Sequence, residues 1–241
     1  MKRLHILYTL LFIWLLPVTS NGQPAGKEKL RVISYNIWNG FEHDASRRAN
    51  FINWIKGQQP DILAMTELVG FTEKDLGQLA SEYGHKYYAI VKEEGYPVGI
   101  TSNEPITVVK KQMEGFWHGM LHVKTHGLDM IVTHLSPHDW KFRLKEAQML
   151  TSYIQDNQLD NCMVMGDFNA YSPFDADWVE THAQLIENMQ KWDAEQETYR
   201  NMRDGRFDYS VLSKFLSIGL TDICRLYVPA DKRTTFPAAF L

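Results

Sequence analysis

Four short apolar runs each finish on a polar side chain, and this pattern constrains the fold more than any other part of the chain. The runs LRVISYN, DILAMTE, LDMIVTH and NCMVMGDFN end at Asn36, at Glu67, at His134, and at Asp167 with Asn169. Such runs read as buried strands, and a polar group leaving one is costly to bury unless it is paired or binds a cation. Taken singly, each of these residues is an ordinary turn former. Together, at four strand ends, they point to a polar cluster mounted on a rigid platform.

The remaining pattern supplies the platform. Strands are expected at 30–35, 62–66, 87–92, 98–102, 106–113, 117–124, 129–135 and 162–165. Asp44 caps a helix whose Ala45, Ala49, Ile52 and Ile55 recur at helical spacing and which ends before Gln59-Pro60. Thr72 and Asp75 have the spacing of a capping box. A long helix fits 139–157, with Leu144, Ala147, Leu150 and Ile154 on one stripe. Two more are expected at 177–191 and 209–218, the second stopped by Gly219. Helices, a strand-rich middle and helices again give an α+β domain with two packed sheets covered outside by helices. It is not a doubly wound parallel sheet.

Composition narrows the function. With 25 basic and 29 acidic side chains the net charge is −4, which argues against generic electrostatic gripping of nucleic acid or anionic membrane. A chain of 241 residues needs no disulfide staple, and its two cysteines, Cys162 and Cys224, exclude a zinc ribbon or iron–sulfur centre. Both sit in apolar settings, which favours buried free thiols. Lys2 and Arg3 precede an apolar run of 13 residues from Ile6 to Val18, then small and polar residues up to Gln23. These are the parts of a signal peptide, too short to span a bilayer, so residues 1–22 are expected to be removed and the protein exported to a secreted or periplasmic location. The domain is then expected over residues 28–241.

Asn and carboxylate oxygens are hard ligands suited to Mg²⁺, Mn²⁺ or Ca²⁺, not the N/S set of zinc. The histidines at 118, 122, 126, 134 and 138 tempt a different reading. On a strand, however, residues four apart lie about 13 Å apart, beyond one metal's reach. His118, His122 and His126 are therefore expected on one strand face, with His118 the one to line a cleft.

The segments ISYNIWNG, PDILAMTEL, GYPVGITSNEPI, IVTHLSP, RLKEAQML and MGDFNA stand in an order that resembles the endonuclease/exonuclease/phosphatase superfamily. The resemblance runs from about Leu30 to Ala170, with weaker echoes at GLTDIC and TTFPA. It implies a four-layer α/β/β/α sandwich and a divalent-metal-dependent phosphoric ester hydrolase. Carried over by residue, Asn36 and Glu67 resemble the metal-side pair, with Glu67 the direct ligand. Asp167 resembles the aspartate that orients or deprotonates water, and Asn169 the asparagine that holds a phosphate oxygen. His134 stands where members carry His or Tyr beside the scissile phosphate. His118, Tyr96 and Trp38 are candidate substrate contacts, and Arg143 reads as structural or at the substrate rim. The phosphate ester is open between nucleic acid, phospholipid and sugar or inositol phosphate. No obligate protein partner is implied, and a monomer is expected.

The resemblance also implies two later motifs, an Arg-x-Asp-Tyr strand and a Ser-Asp-His turn. Neither follows TTFPA, and no histidine follows His182. A domain lacking its last strands is therefore expected, as an incomplete enzyme. The alternatives are a degenerate module that binds metal and phosphorylated ligands, or an enzyme using His118 or His138 instead.

Overall fold

The computed structural model describes residues 29–233. The signal segment and the TTFPA stretch lie outside the described residues.

Two four-stranded sheets form the centre. In the first, the order is β1 (Val32–Asn36), β2 (Ile62–Thr66), β4 (Gly99–Ser102), β3 (Tyr87–Ile90), with β1 and β2 parallel. In the second it is β5 (Thr107–Gln112), β6 (Met120–Thr125), β7 (Leu128–His134), β8 (Cys162–Asp167), with β7 and β8 parallel. Side-chain alternation explains why both sheets are covered twice. Ile62 and Ala64 of β2 enter the core between the sheets with Leu121, Val123, Met130, Val132 and Met165. The intervening Leu63 and Met65 pack outward on Phe51, Ile52 and Ile55 of α2 (Ala45–Gln58) and on Leu76 and Leu79 of α3 (Glu73–Glu82). On the far side, Ile131 meets Ala147, Leu150 and Ile154 of α4 (Trp140–Asp156) and Val211 and Phe215 of α7 (Ser210–Leu216). The result is the expected α/β/β/α order of layers.

Helix starts follow the sequence. Asp44 accepts from the N–H groups of Ser46 and Arg47, Thr72 and Asp75 form the reciprocal box, and Asp139 accepts from Phe142 N–H. The expected helix at 177–191 is instead two, α5 (Ala176–Glu180) and α6 (Ala183–Glu195). The Thr181 hydroxyl and the His182 ring both turn back on the Trp178 carbonyl, and this local side-chain bonding ends the first helix. The expected row of histidines on one strand face is also corrected. Only His122 lies within β6; His118 precedes it, and His126 occupies the β6–β7 turn at a φ of 52°. His122 is used structurally, between Asp129 Oδ1 at 2.8 Å and Tyr153 Oη at 2.9 Å. Cys162 is half-buried, but Cys224 is exposed rather than buried, and both are free. Among the described residues no helix is long and apolar enough to cross a membrane.

Gly166 shows how closely β7 and β8 approach. Its φ is 132°, and a Cβ built there would overlap the Thr133 carbonyl oxygen. The glycine of MGDFNA is thus required by the parallel pairing that sets His134 opposite Asp167. Gly166→Ala is expected to lower unfolding stability by about 2–4 kcal/mol, read from urea melts.

Candidate active site

Strand parity brings the polar residues together. Asn36 shares the inward parity of Val32, His134 that of Met130 and Val132, and Asp167 that of Met163 and Met165. Each stands at the C-terminal end of its strand. Register aligns Asn36 with Thr66, directly before Glu67, and His134 with Asp167. The four strand ends therefore meet at one end of the seam between the sheets.

Asn36 is the hub of the cluster. Its Nδ2 donates to Glu67 Oε1 at 2.8 Å and to Asp167 Oδ2 at 3.1 Å, while its Oδ1 accepts from Trp38 N–H at 2.8 Å. Glu67 Oε2 accepts from Asn39 N–H at 2.8 Å, and Asp167 Oδ1 from Asn169 N–H at 2.9 Å. Asn169 Nδ2 donates to the Leu135 carbonyl at 2.9 Å and lies 3.2 Å from His134 Nε2. A carbonyl can only accept, so the amide nitrogen is the group that faces Leu135, and its second hydrogen points to Nε2. That assigns the His134 proton to Nδ1, which is buried without a partner in the protein. Burial holds the His134 pKa below the usual histidine value, against the opposing pull of Asp167 and Glu67. Its Nε2 stands 3.9 Å from Asp167 Oδ2.

The backbone here is strained. Glu67 and Asn169 have φ of 59° and 46°, and Trp38 through His43 all have positive φ, a left-handed turn, α1 (Trp38–Phe41), that runs on two residues further. Left-handed backbone costs a non-glycine residue about 1–2 kcal/mol, so the neighbouring hydrogen bonds must hold it.

His118 stacks on His134, ring centroids 4.4 Å apart at 25°. The exposed Tyr96 ring lies 5.4 Å from His118. Trp38 is exposed at the rim and donates its indole N–H to Glu42. The structure thus gathers Asn36, Glu67, His134, Asp167 and Asn169 into one network and sets His118 and Tyr96 beside it. A hollow of about 330 Å³ between β1 and α2, walled by Tyr35, Phe41, Phe51 and Trp54, meets this network only at Asn36.

Two residues of RLKEAQML carry more than the sequence reading gave them. Arg143 and Glu146 are buried beneath the site, Arg143 as a structural group. Arg143 donates to the carbonyls of Ser136, His138 and Arg200. Burial pushes the Glu146 carboxyl up to about 7, against hydrogen bonds from Ser136 and Trp117 N–H and the nearby Arg143. The signal was available: two charges spaced i, i+3 on the helix stripe that also carries Ala147, Leu150 and Ile154.

The donor set fits a divalent cation. Two carboxylates, Glu67 and Asp167, are joined through one amide, and among the described residues no lysine or arginine pairs with either. No three His, Cys, Asp or Glu side chains among the described residues form a cage. One or two carboxylates with water and phosphate completing the shell is the usual mode for Mg²⁺.

Burial, then His134 and Lys92, depress the His118 pKa to about 3, so the unfolded chain takes up this proton first, near 6.5. The stability it contributes is full above about pH 6.5 and is lost as pH falls towards 3. Urea midpoints measured from pH 7 to pH 4 should fall more steeply for the wild type than for His118→Asn.

Comparison with known proteins agrees with this fold. An AP endonuclease from Archaeoglobus fulgidus superposes with a TM-score of 0.58 at 20% identity, over 82% of this chain and 74% of that one. A 3'-5' exonuclease from Neisseria meningitidis does so with 0.57 at 19%, over 81% and 73%. A Neisseria 3' phosphatase bound to a product DNA hairpin gives 0.56 at 17%, over 82% and 74%. At these identities the likeness establishes a shared fold. No curated protein matches the sequence. Residues 33–215 match the Endonuclease/Exonuclease/phosphatase family, and the chain belongs to it.

Proposed function

We propose that this chain is an exported, divalent-metal-dependent phosphoric ester hydrolase acting by in-line attack of water. Phosphoric ester hydrolysis is the activity of its family, whose enzymes generally depend on a divalent metal. The observation that carries the finer reading is the pair of uncompensated carboxylates, Glu67 and Asp167, tied by the Asn36 amide at the strand ends that also present His134 and Asn169. A cation bound there would act as a Lewis acid on the phosphate oxygens.

The chain's own residues take the other roles. Glu67 holds the cation, and Asn36 fixes both carboxylates by donating to them. Asp167, the part-exposed carboxylate, orients the attacking water and takes its proton. Asn169, held by its bond to the Leu135 carbonyl, would turn its second amide hydrogen from His134 Nε2 to a phosphate oxygen. His134, kept neutral by burial with its proton on Nδ1, offers Nε2 as a proton carrier facing Asp167. His118, Tyr96 and Trp38 contact the substrate.

The ester is a nucleic acid, a phospholipid or a sugar or inositol phosphate, and the net charge of −4 weighs against long duplex DNA. The basic, apolar and small-residue order of residues 1–23 supports export, and the protein acts as a monomer.

Hydrolysis of bis-p-nitrophenyl phosphate in Mg²⁺ tests the reaction. Turnover should vanish with EDTA and return with metal, and Asp167→Ala should lower it at least about 100-fold. Phosphate-ester binding without turnover would replace this reading with a non-catalytic module.

A further inference from the structure

Among the described residues the most deeply buried charged side chain, Glu146, lies on α4. Glu146 has 0% exposure, yet each of its oxygens reaches a different loop. Oε1 accepts the N–H of Trp117 at 2.8 Å, and Oε2 accepts the N–H of Ser136 at 2.7 Å. Trp117 immediately precedes His118, and Ser136 follows His134 by two residues. One carboxylate therefore spans the two segments whose imidazoles stack 4.4 Å apart.

Arg143 completes the clamp from one turn earlier on the same helix. It donates to the Ser136 carbonyl at 3.1 Å, the His138 carbonyl at 3.3 Å, the Arg200 carbonyl at 3.0 Å and Asn201 Oδ1 at 3.1 Å. Ser136 is thus held twice, by its N–H on Glu146 and its carbonyl on Arg143. A buried carboxylate is costly, and here its effect is to fix the distance between two loops.

We propose that Glu146 is a positioning residue that locks the His118 loop against the end of β7, so that the imidazoles stay stacked and His134 Nε2 stays directed at Asn169 and Asp167. The catalytic consequence rests on the hydrolase reading given above, whereas the geometric claim stands without it.

Glu146→Gln tests both. The amide keeps the shape but replaces one acceptor with an NH₂ donor, so either Trp117 or Ser136 N–H loses its partner. The kcat for bis-p-nitrophenyl phosphate should fall about 10- to 100-fold with KM nearly unchanged, as for a displaced catalytic group. In NMR spectra the His118 and His134 ring resonances should move. Ile154→Ala, further along the same helix face, is the control: it lowers stability but should leave both rings and kcat as in the wild type. Wild-type rings and kcat in Glu146→Gln would overturn the proposal, as would an equal loss of both in Ile154→Ala. If the wild-type chain shows no turnover, the hydrolase reading fails and the ring resonances alone decide the positioning role. If Glu146→Gln does not fold, Glu146→Asp, whose carboxylate is withdrawn by one methylene, is judged by the same resonances: displaced rings support the clamp and unmoved rings overturn it.

Discussion

A single amide connects the two sheets at the end where the polar residues converge. Asn36 ends β1 in one sheet and donates both to Glu67, beside it in that sheet, and to Asp167 in the other. Without such a donor the two carboxylates would approach each other with only backbone N–H groups to offset their repulsion. The Asn36 carbonyl oxygen is spent on Trp38 N–H, which starts the left-handed turn, and that turn delivers Asn39 N–H to Glu67. The loop, the two strand ends and the intersheet seam are therefore parts of one hydrogen-bonded unit.

This unit accounts for the strain found around the site. Apart from Gly166 in β8 and a register shift in β5 the strands have ordinary geometry, and the residues with positive φ include Glu67, Asn169 and the run from Trp38 to His43. A residue held in a sparsely populated conformation needs surroundings that leave no alternative. Glu67 is fixed by two donors, and Asn169 by its own N–H on Asp167 and its amide on Leu135. Glu67 and Asn169 are also the two whose side chains turn into the cluster.

Most of the scaffold could be read from the chain because its signals are local. The apolar period of β2, the Asp44 and Asp139 caps and the Thr72–Asp75 box need only neighbouring residues. The cluster was legible for a related reason, since a polar residue closing an apolar strand has few places to go. The left-handed turn was not legible: WNGFEH contains one glycine, and nothing in its composition demands six positive φ angles. Placing the histidines on one strand face failed because Gly119, with φ of 102°, sets His118 off from β6 and frees it to turn towards His134. The division of the helix at Thr181 depended on side chains competing for one carbonyl, a contest that periodicity does not record.

Three carboxylates show how environment separates roles that sequence cannot. Asp167 is part-exposed, its oxygens bonded to an amide and a backbone N–H, and it lies beside a neutral imidazole. Glu67 is half-buried and held by two donors, with no cationic side chain paired to it among the described residues. Glu146 is fully buried, bonded to two backbone N–H groups and near a guanidinium. The first two stand at the edge of solvent, where a cation can meet them without leaving water entirely. The third has no route to solvent, so its charge is answered by backbone donors from two loops and its use is geometric. The same side-chain chemistry thus forms the candidate site in one layer and holds it in shape from the layer beneath.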